Sequence, residues 1–110
     1  MAFLQNIVKA GTAASAGFDS SSIELGDNLS INNMSMHVIG TGLNTADSTV
    51  KLQSSNNNTD WVDVVDGSLT LTSSTSFYLI AGNVAMKYYR VVFANGTNSA
   101  GTIQVLLNFN

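Results

Sequence analysis

The residues able to do chemistry are few and scattered. His37 is the single histidine, and cysteine is absent. Acyl transfer of the Ser-His-acid kind needs a hydroxyl activated by an imidazole that a carboxylate orients. Hydroxyls abound here, but nothing marks the sharp strand-to-helix turn that would present one as a nucleophile. His37 lies between Met36 and Val38 in an alternating stretch, so its side chain is expected on the opposite side from theirs, toward solvent. With no second histidine, no HExxH and no cysteine cluster, a zinc site is excluded.

Asp60, Asp63 and Asp66 follow the run Asn56-Asn57-Asn58, an oxygen-rich stretch that invites a Ca²⁺ reading. A helix–loop–helix calcium site takes ligands from alternate positions and closes with Glu, and neither condition is met. Residues three apart on a strand face opposite sides. The run reads instead as turn chemistry, in which Asn and Asp bond their own backbone. No metal and no cofactor are expected. The aromatic residues Trp61, Tyr88 and Tyr89 could form a sugar-stacking platform. Adjacent strand residues face opposite ways, however, so only one of the two tyrosines shares a face with any partner. The preferred reading makes Trp61, the one tryptophan, a core plug.

Elements of period two must position these residues. Ile23 and Leu25 alternate with polar neighbours, then come a turn at 26–28 and a further alternation through Leu29 and Ile31. Asn32-Asn33 breaks the phase before Met34, Met36 and Val38, which predicts a bulge or a sheet switch near Asn33. Val50–Val64 reads as a hairpin around a polar turn, closed by Asp66-Gly67 before a short strand carrying Leu69 and Leu71. The apolar run Phe77–Ile80 could be a strand buried on both faces. Tyr89, Val91 and Phe93 precede the turn signal Asn95-Gly96, and Ile103, Val105, Leu107 and Phe109 follow it. Seven or eight strands with frequent turns predict an all-β fold: a single antiparallel β-sandwich, immunoglobulin-like or jelly-roll, over 19–110. Residues 1–18 differ. Phe3, Leu4, Ile7 and Val8 recur at three-to-four spacing, so the segment is expected to be an N-terminal arm and linker, part of it helical, that docks on a neighbouring subunit.

The chain has 110 residues, which suits one domain. Charged residues make up 10 %, against about a quarter in average soluble proteins. The net charge is −3, with four Lys and Arg, too few cations to displace phosphate counterions, so no nucleic-acid partner is expected. No stretch approaches the roughly 20 apolar residues of a membrane helix, and no membrane partner is expected. Met1–Lys9 has no basic leading region and no sustained apolar stretch, so no targeting signal is expected in it, and the absence of cysteine fits synthesis in a reducing cytoplasm.

The stretch Val50-Lys51-Leu52-Gln53-Ser54-Ser55, a polar turn, then Trp61-Val62-Asp63-Val64 resembles a hairpin of small structural proteins of tailed bacteriophages. Lys87-Tyr88-Tyr89-Arg90-Val91-Val92 followed by Gly101-Thr102-Ile103-Gln104-Val105 extends the resemblance over about 50–110. Asn56-Asn57-Asn58 stands where the family often has an Asp-Gly turn. The resemblance implies a non-enzymatic virion component, a decoration or auxiliary capsid protein on the outer surface of the particle. A carbohydrate- or host-binding module of a head fibre or tail is the alternative. The implied partners are the major capsid protein or neck and tail proteins, and further copies of the chain in a homo-oligomer.

Overall fold

The computed structural model describes residues 4–25, 33–71, 76–83 and 86–109, with the backbone alone described along 4–12 and 76–83. The strands are β1 (Leu4–Ala13), β2 (Phe18–Asp19), β3 (Ile23–Glu24), β4 (Asn33–Thr41), β5 (Ser48–Ser55), β6 (Val62–Leu71), β7 (Ser76–Asn83), β8 (Tyr88–Ala94) and β9 (Thr102–Phe109). Apart from β2 and β3, of two residues each, the strands have 7 to 10 residues. They form two antiparallel sheets. Sheet A runs β1-β9-β4-β7, and sheet B runs β2-β8-β5-β6 with β3 also on β8. The expected all-β sandwich is the fold.

Alternation builds the core. Strand β4 buries Met34, Met36 and Val38, and β9 buries Ile103, Val105, Leu107 and Phe109. From sheet B come Val50 and Leu52 of β5 and Tyr89, Val91 and Phe93 of β8. Each such side chain contributes about 1.5–3 kcal/mol by leaving water. The Tyr89 and Phe109 rings, 5.7 Å apart, meet across the two sheets.

Residues 4–13 correct the helical expectation. They form β1, paired antiparallel with β9 from Leu4↔Phe109 to Ala13↔Thr102. Register runs unbroken from Leu4↔Phe109 to Ile7↔Leu106, so the three-residue spacing of Leu4 and Ile7 belongs to an extended strand, and the register shifts only beyond Ile7, between Ile7 and Lys9 and between Lys9 and Thr12. A further shift lies between Asn33 and Met34 against β7, as the phase break predicted. Phe3, the turn at 26–28 and the strand through Leu29 and Ile31 lie outside the described residues.

Asp66-Gly67 does not close a hairpin. Strand β6 continues through it, and the register with β5 jumps from Lys51↔Ser68 to Gln53↔Asp63. Val64 to Gly67 therefore bulge opposite Leu52. Asp66 takes a φ of 59°, and a Cβ on Gly67 would lie 2.9 Å from the Val64 carbonyl oxygen. The bulge needs glycine there.

Asn95-Gly96 does turn the chain, with Gly96 at φ 60° and the Asn98 amide donating to the Asn95 carbonyl at 3.0 Å. The turn links sheet B to sheet A, so its flanking strands do not pair with each other. Asn98 is buried here: its Nδ2 donates to the carbonyls of Ala14 at 2.7 Å and Ala100 at 2.8 Å, and its Oδ1 accepts from the Asn44 amide at 2.8 Å. One side chain joins three connections at this end of the sandwich. Asp47 adds a clasp, accepting from the hydroxyls of Thr45 and Thr97 and the Thr97 amide, bonds that lower its pKa.

Candidate functional site

The outer face of sheet B gathers two of the three aromatic candidates, Trp61 and Tyr88. Strand β8 turns Tyr88, Arg90 and Val92 outward, half-buried, while Tyr89, Val91 and Phe93 go to the core. Arg90 pairs in register with Gln53 of β5, and Gln53 with Asp63 of β6. The side chains follow the same line. Arg90 Nε donates to Gln53 Oε1 at 2.8 Å, and Gln53 Nε2 donates to Asp63 Oδ1 at 2.9 Å. Lys51 Nζ lies 3.3 Å from the same carboxylate oxygen. The Gln53 amide and the Lys51 ammonium together hold the Asp63 carboxyl below its usual pKa.

Trp61 corrects the core-plug expectation. It is half-buried, in the loop before β6, and its ring lies 4.5 Å from the Arg90 guanidinium carbon. The core volume belongs to Phe93, Phe109, Met36 and their neighbours. A guanidinium over an indole is worth about 0.5–2 kcal/mol, depending on desolvation. Since Arg90 is also held by Gln53, the stack fixes the plane of the indole over the sheet.

The turn at 56–60 sets the approach to Trp61. Asn57 Oδ1 accepts from the amides of Thr59 at 3.0 Å and Asp60 at 2.8 Å, while its Nδ2 donates to Asp60 Oδ2 at 2.9 Å. Asn56 Oδ1 accepts from the Lys87 amide at 3.2 Å, tying the turn to the start of β8. The turn-chemistry reading of these residues holds. Asp60, Asp63 and Asp66 do not assemble, and no group of three His, Cys, Asp or Glu that could hold a metal ion occurs among the described residues.

Of the three aromatic candidates, the structure therefore brings Trp61 and Tyr88 to one outer surface, with Tyr88 in register with Ser55 beside the turn and Arg90, in register with Gln53, one step farther from it. Tyr89 is removed from it: the side chain is buried, and its Oη accepts from the Met86 amide at 3.2 Å. Arg90 is the residue that sequence reasoning missed. Its outward position was legible from alternation, but its partners lie on two other strands.

His37 sits on the outer face of sheet A, half-buried, between Leu106 of β9 and Tyr78 of β7 in register. Alternation placed it correctly. The candidate subunit contacts Leu4, Ile7 and Val8 all lie on β1, the edge strand of sheet A.

Fold and surface together define a two-sheet β-sandwich in which outer polar side chains of sheet B bond to one another and to the turn at 56–60. No protein-family model matches the chain, and no curated protein matches it. Among solved structures, the exported protein XepA of PBSX shares the fold, with a TM-score of 0.75 at 14 % identity over 97 % of this chain. The chain spans 37 % of the length of XepA.

Proposed function

We propose that this chain is a non-enzymatic structural component of a bacteriophage particle, an auxiliary or decoration protein on the outside of the capsid. The observation that carries the reading is the fold shared with XepA, a phage-related exported protein, along nearly the whole chain. The phage-type hairpin at Val50–Val64 agrees with it. A net charge of −3 suits an outward position better than a genome-facing one. In this role the sandwich cements neighbouring coat subunits, as part of a homo-oligomer in contact with the major capsid protein or with neck or tail proteins. The test is binding of purified protein to capsids lacking it. Saturable binding at a copy number set by the capsid lattice, with a raised capsid melting temperature, supports the role. Binding at the tail alone, or none, rejects it.

A second reading is favoured by one specific observation, the position of Trp61 outside the core. An indole on the same outer face as Tyr88, with Arg90 stacked on it and Gln53 and Asp63 linked to Arg90, is suited to stacking its other face on a sugar ring of a host glycan. This makes the chain a host-binding module of a fibre or tail. Trp61→Ala then removes glycan binding on an array while leaving far-ultraviolet circular dichroism unchanged. Undiminished binding by that variant rejects the platform.

A further inference from the structure

We infer that the fold shields Asn95-Gly96 from spontaneous ring closure and leaves Asp66-Gly67, in the bulge of β6, as the site where the folded chain forms isoaspartate. These are the two places where glycine follows Asn or Asp. Glycine, without a Cβ, gives its nitrogen the least hindered approach to the preceding side chain. In the reaction that nitrogen bonds to Cγ and loses its proton. Asn releases ammonia, protonated Asp releases water, and either leaves a five-membered succinimide. Water then opens the ring so that the main chain runs on through Cβ and Cγ. No oxidant, reductant or further reactant is needed.

Geometry separates the two sites. At Asn95 the leaving nitrogen is itself held: Nδ2 donates to the Asn98 carbonyl at 2.9 Å and to the Ser15 carbonyl at 3.2 Å. The Asn95 carbonyl accepts from the Asn98 amide at 3.0 Å and from the Ser48 hydroxyl at 2.9 Å. Gly96 lies against Asp47, so closely that a Cβ would fall 2.7 Å from the Asp47 Cγ. The Thr97 amide donates to the same carboxylate at 2.9 Å. The peptides on both sides of Gly96 are thus pinned, and its nitrogen reaches Cγ only when the turn opens.

Asp66 has none of these restraints. It is exposed, and among the described residues no hydrogen bond or ion pair holds its carboxylate. Val64–Gly67 lie outside the register with β5, on the edge strand of sheet B. The bulge sets Asp66 at a φ of 59°, which Asp tolerates, and leaves no room for a Cβ at 67. The packing that demands glycine there therefore also supplies the reactive dipeptide. Isoaspartate adds one main-chain carbon, and an unpaired bulge takes up the length without losing a ladder bond.

The test is ageing of the full chain at neutral pH, folded and in denaturant. It is read by peptide mapping with fragmentation that tells aspartate from isoaspartate, and by isoelectric focusing. The folded chain is expected to gain isoaspartate at 66 and to keep its net charge of −3, because isomerisation retains the carboxylate. The denatured chain is expected to convert Asn95 first, since an amide needs no prior protonation, and to move from −3 to −4. Conversion of Asn95 should be at least about tenfold slower in the folded chain, where the bonds of its side chain must open first. Asp66→Glu does not close the five-membered ring and should remove the folded-state signal; if that variant fails to fold, the wild-type map alone decides. Three outcomes overturn the inference: folded-state conversion chiefly at Asn95, no isoaspartate at 66 once the denatured chain has formed it there, or one order of sites in both states.

Discussion

The two outer faces of this sandwich solve the same problem in opposite ways. Sheet B carries Lys51, Asp63 and Arg90 on its outside and links them through Gln53, with Arg90 also lying over the indole of Trp61. Sheet A carries only uncharged residues on the outer side of its two central strands: Ser35, His37, Ile39, Gln104, Leu106 and Asn108. A low charge content is therefore not spread evenly. One face links its charged residues into a polar network, and the central strands of the other carry none.

The largest effect should come from the layer both faces share. Leu107→Ala removes a fully buried side chain and is expected to cost about 2–5 kcal/mol in chemical denaturation. Leu106→Ser, one residue away on the outer side, should cost under about 1 kcal/mol, and equal losses would erase the distinction between inside and outside. Next comes the bulge at the free edge of sheet B. Gly67→Ala forces a Cβ against Val64 and should cost about 1–3 kcal/mol, seen as a lowered denaturation midpoint.

Arg90→Ala opens the network of sheet B. It should cost about 0.5–2 kcal/mol and shift the emission of Trp61, the only tryptophan, toward that of a freely solvated indole. Unchanged emission would mean that the stack does not hold the ring. On sheet A, Asn108 has a buried Oδ1 without a hydrogen-bond partner. Asn108→Val should stabilise the monomer by about 1 kcal/mol, measured by the same denaturation.

Acid separates the faces with the smallest effect. The folded pKa of Asp63 is depressed, so its bonds to Gln53 and Lys51 contribute in full above the ordinary carboxylate range. They are lost as pH falls through the lowered value. Trp61 emission is expected to change in that window through Arg90 and Gln53, while the central strands of sheet A, which carry no carboxylate on their outer side, keep their amide spectra.

Much of the inside was legible from alternation, because a half-buried strand sorts its side chains by polarity. Met34, Met36 and Val38, and Ile103 through Phe109, could be assigned to the core in this way. The outward side of His37 and the opposite fates of Tyr88 and Tyr89 followed from the same rule. It failed in two places. The bulge of β6 has the composition of a turn, and the apolar residues Leu4 and Ile7 of β1 stand three apart in unbroken register, so polarity does not alternate there. Trp61 was misplaced for another reason. Its environment is set by Arg90, two strands away, and no local pattern announces a contact across a sheet. The sheet to which each strand belongs was equally hidden, since Asn95-Gly96 has the composition of a hairpin turn and links different sheets.

The order of sheet A has a consequence for the making of the molecule. Strand β9 lies between β1 and β4, so the earliest strand finds its partner only when residues 102–109 have left the ribosome. Until then β1 has no neighbour and β4 has only β7. Such distant pairing belongs to slow folding and a long exposure of unpaired edges. A nascent chain stalled before residue 102 is expected to be protease-sensitive throughout sheet A, and the sheet should close in one late step.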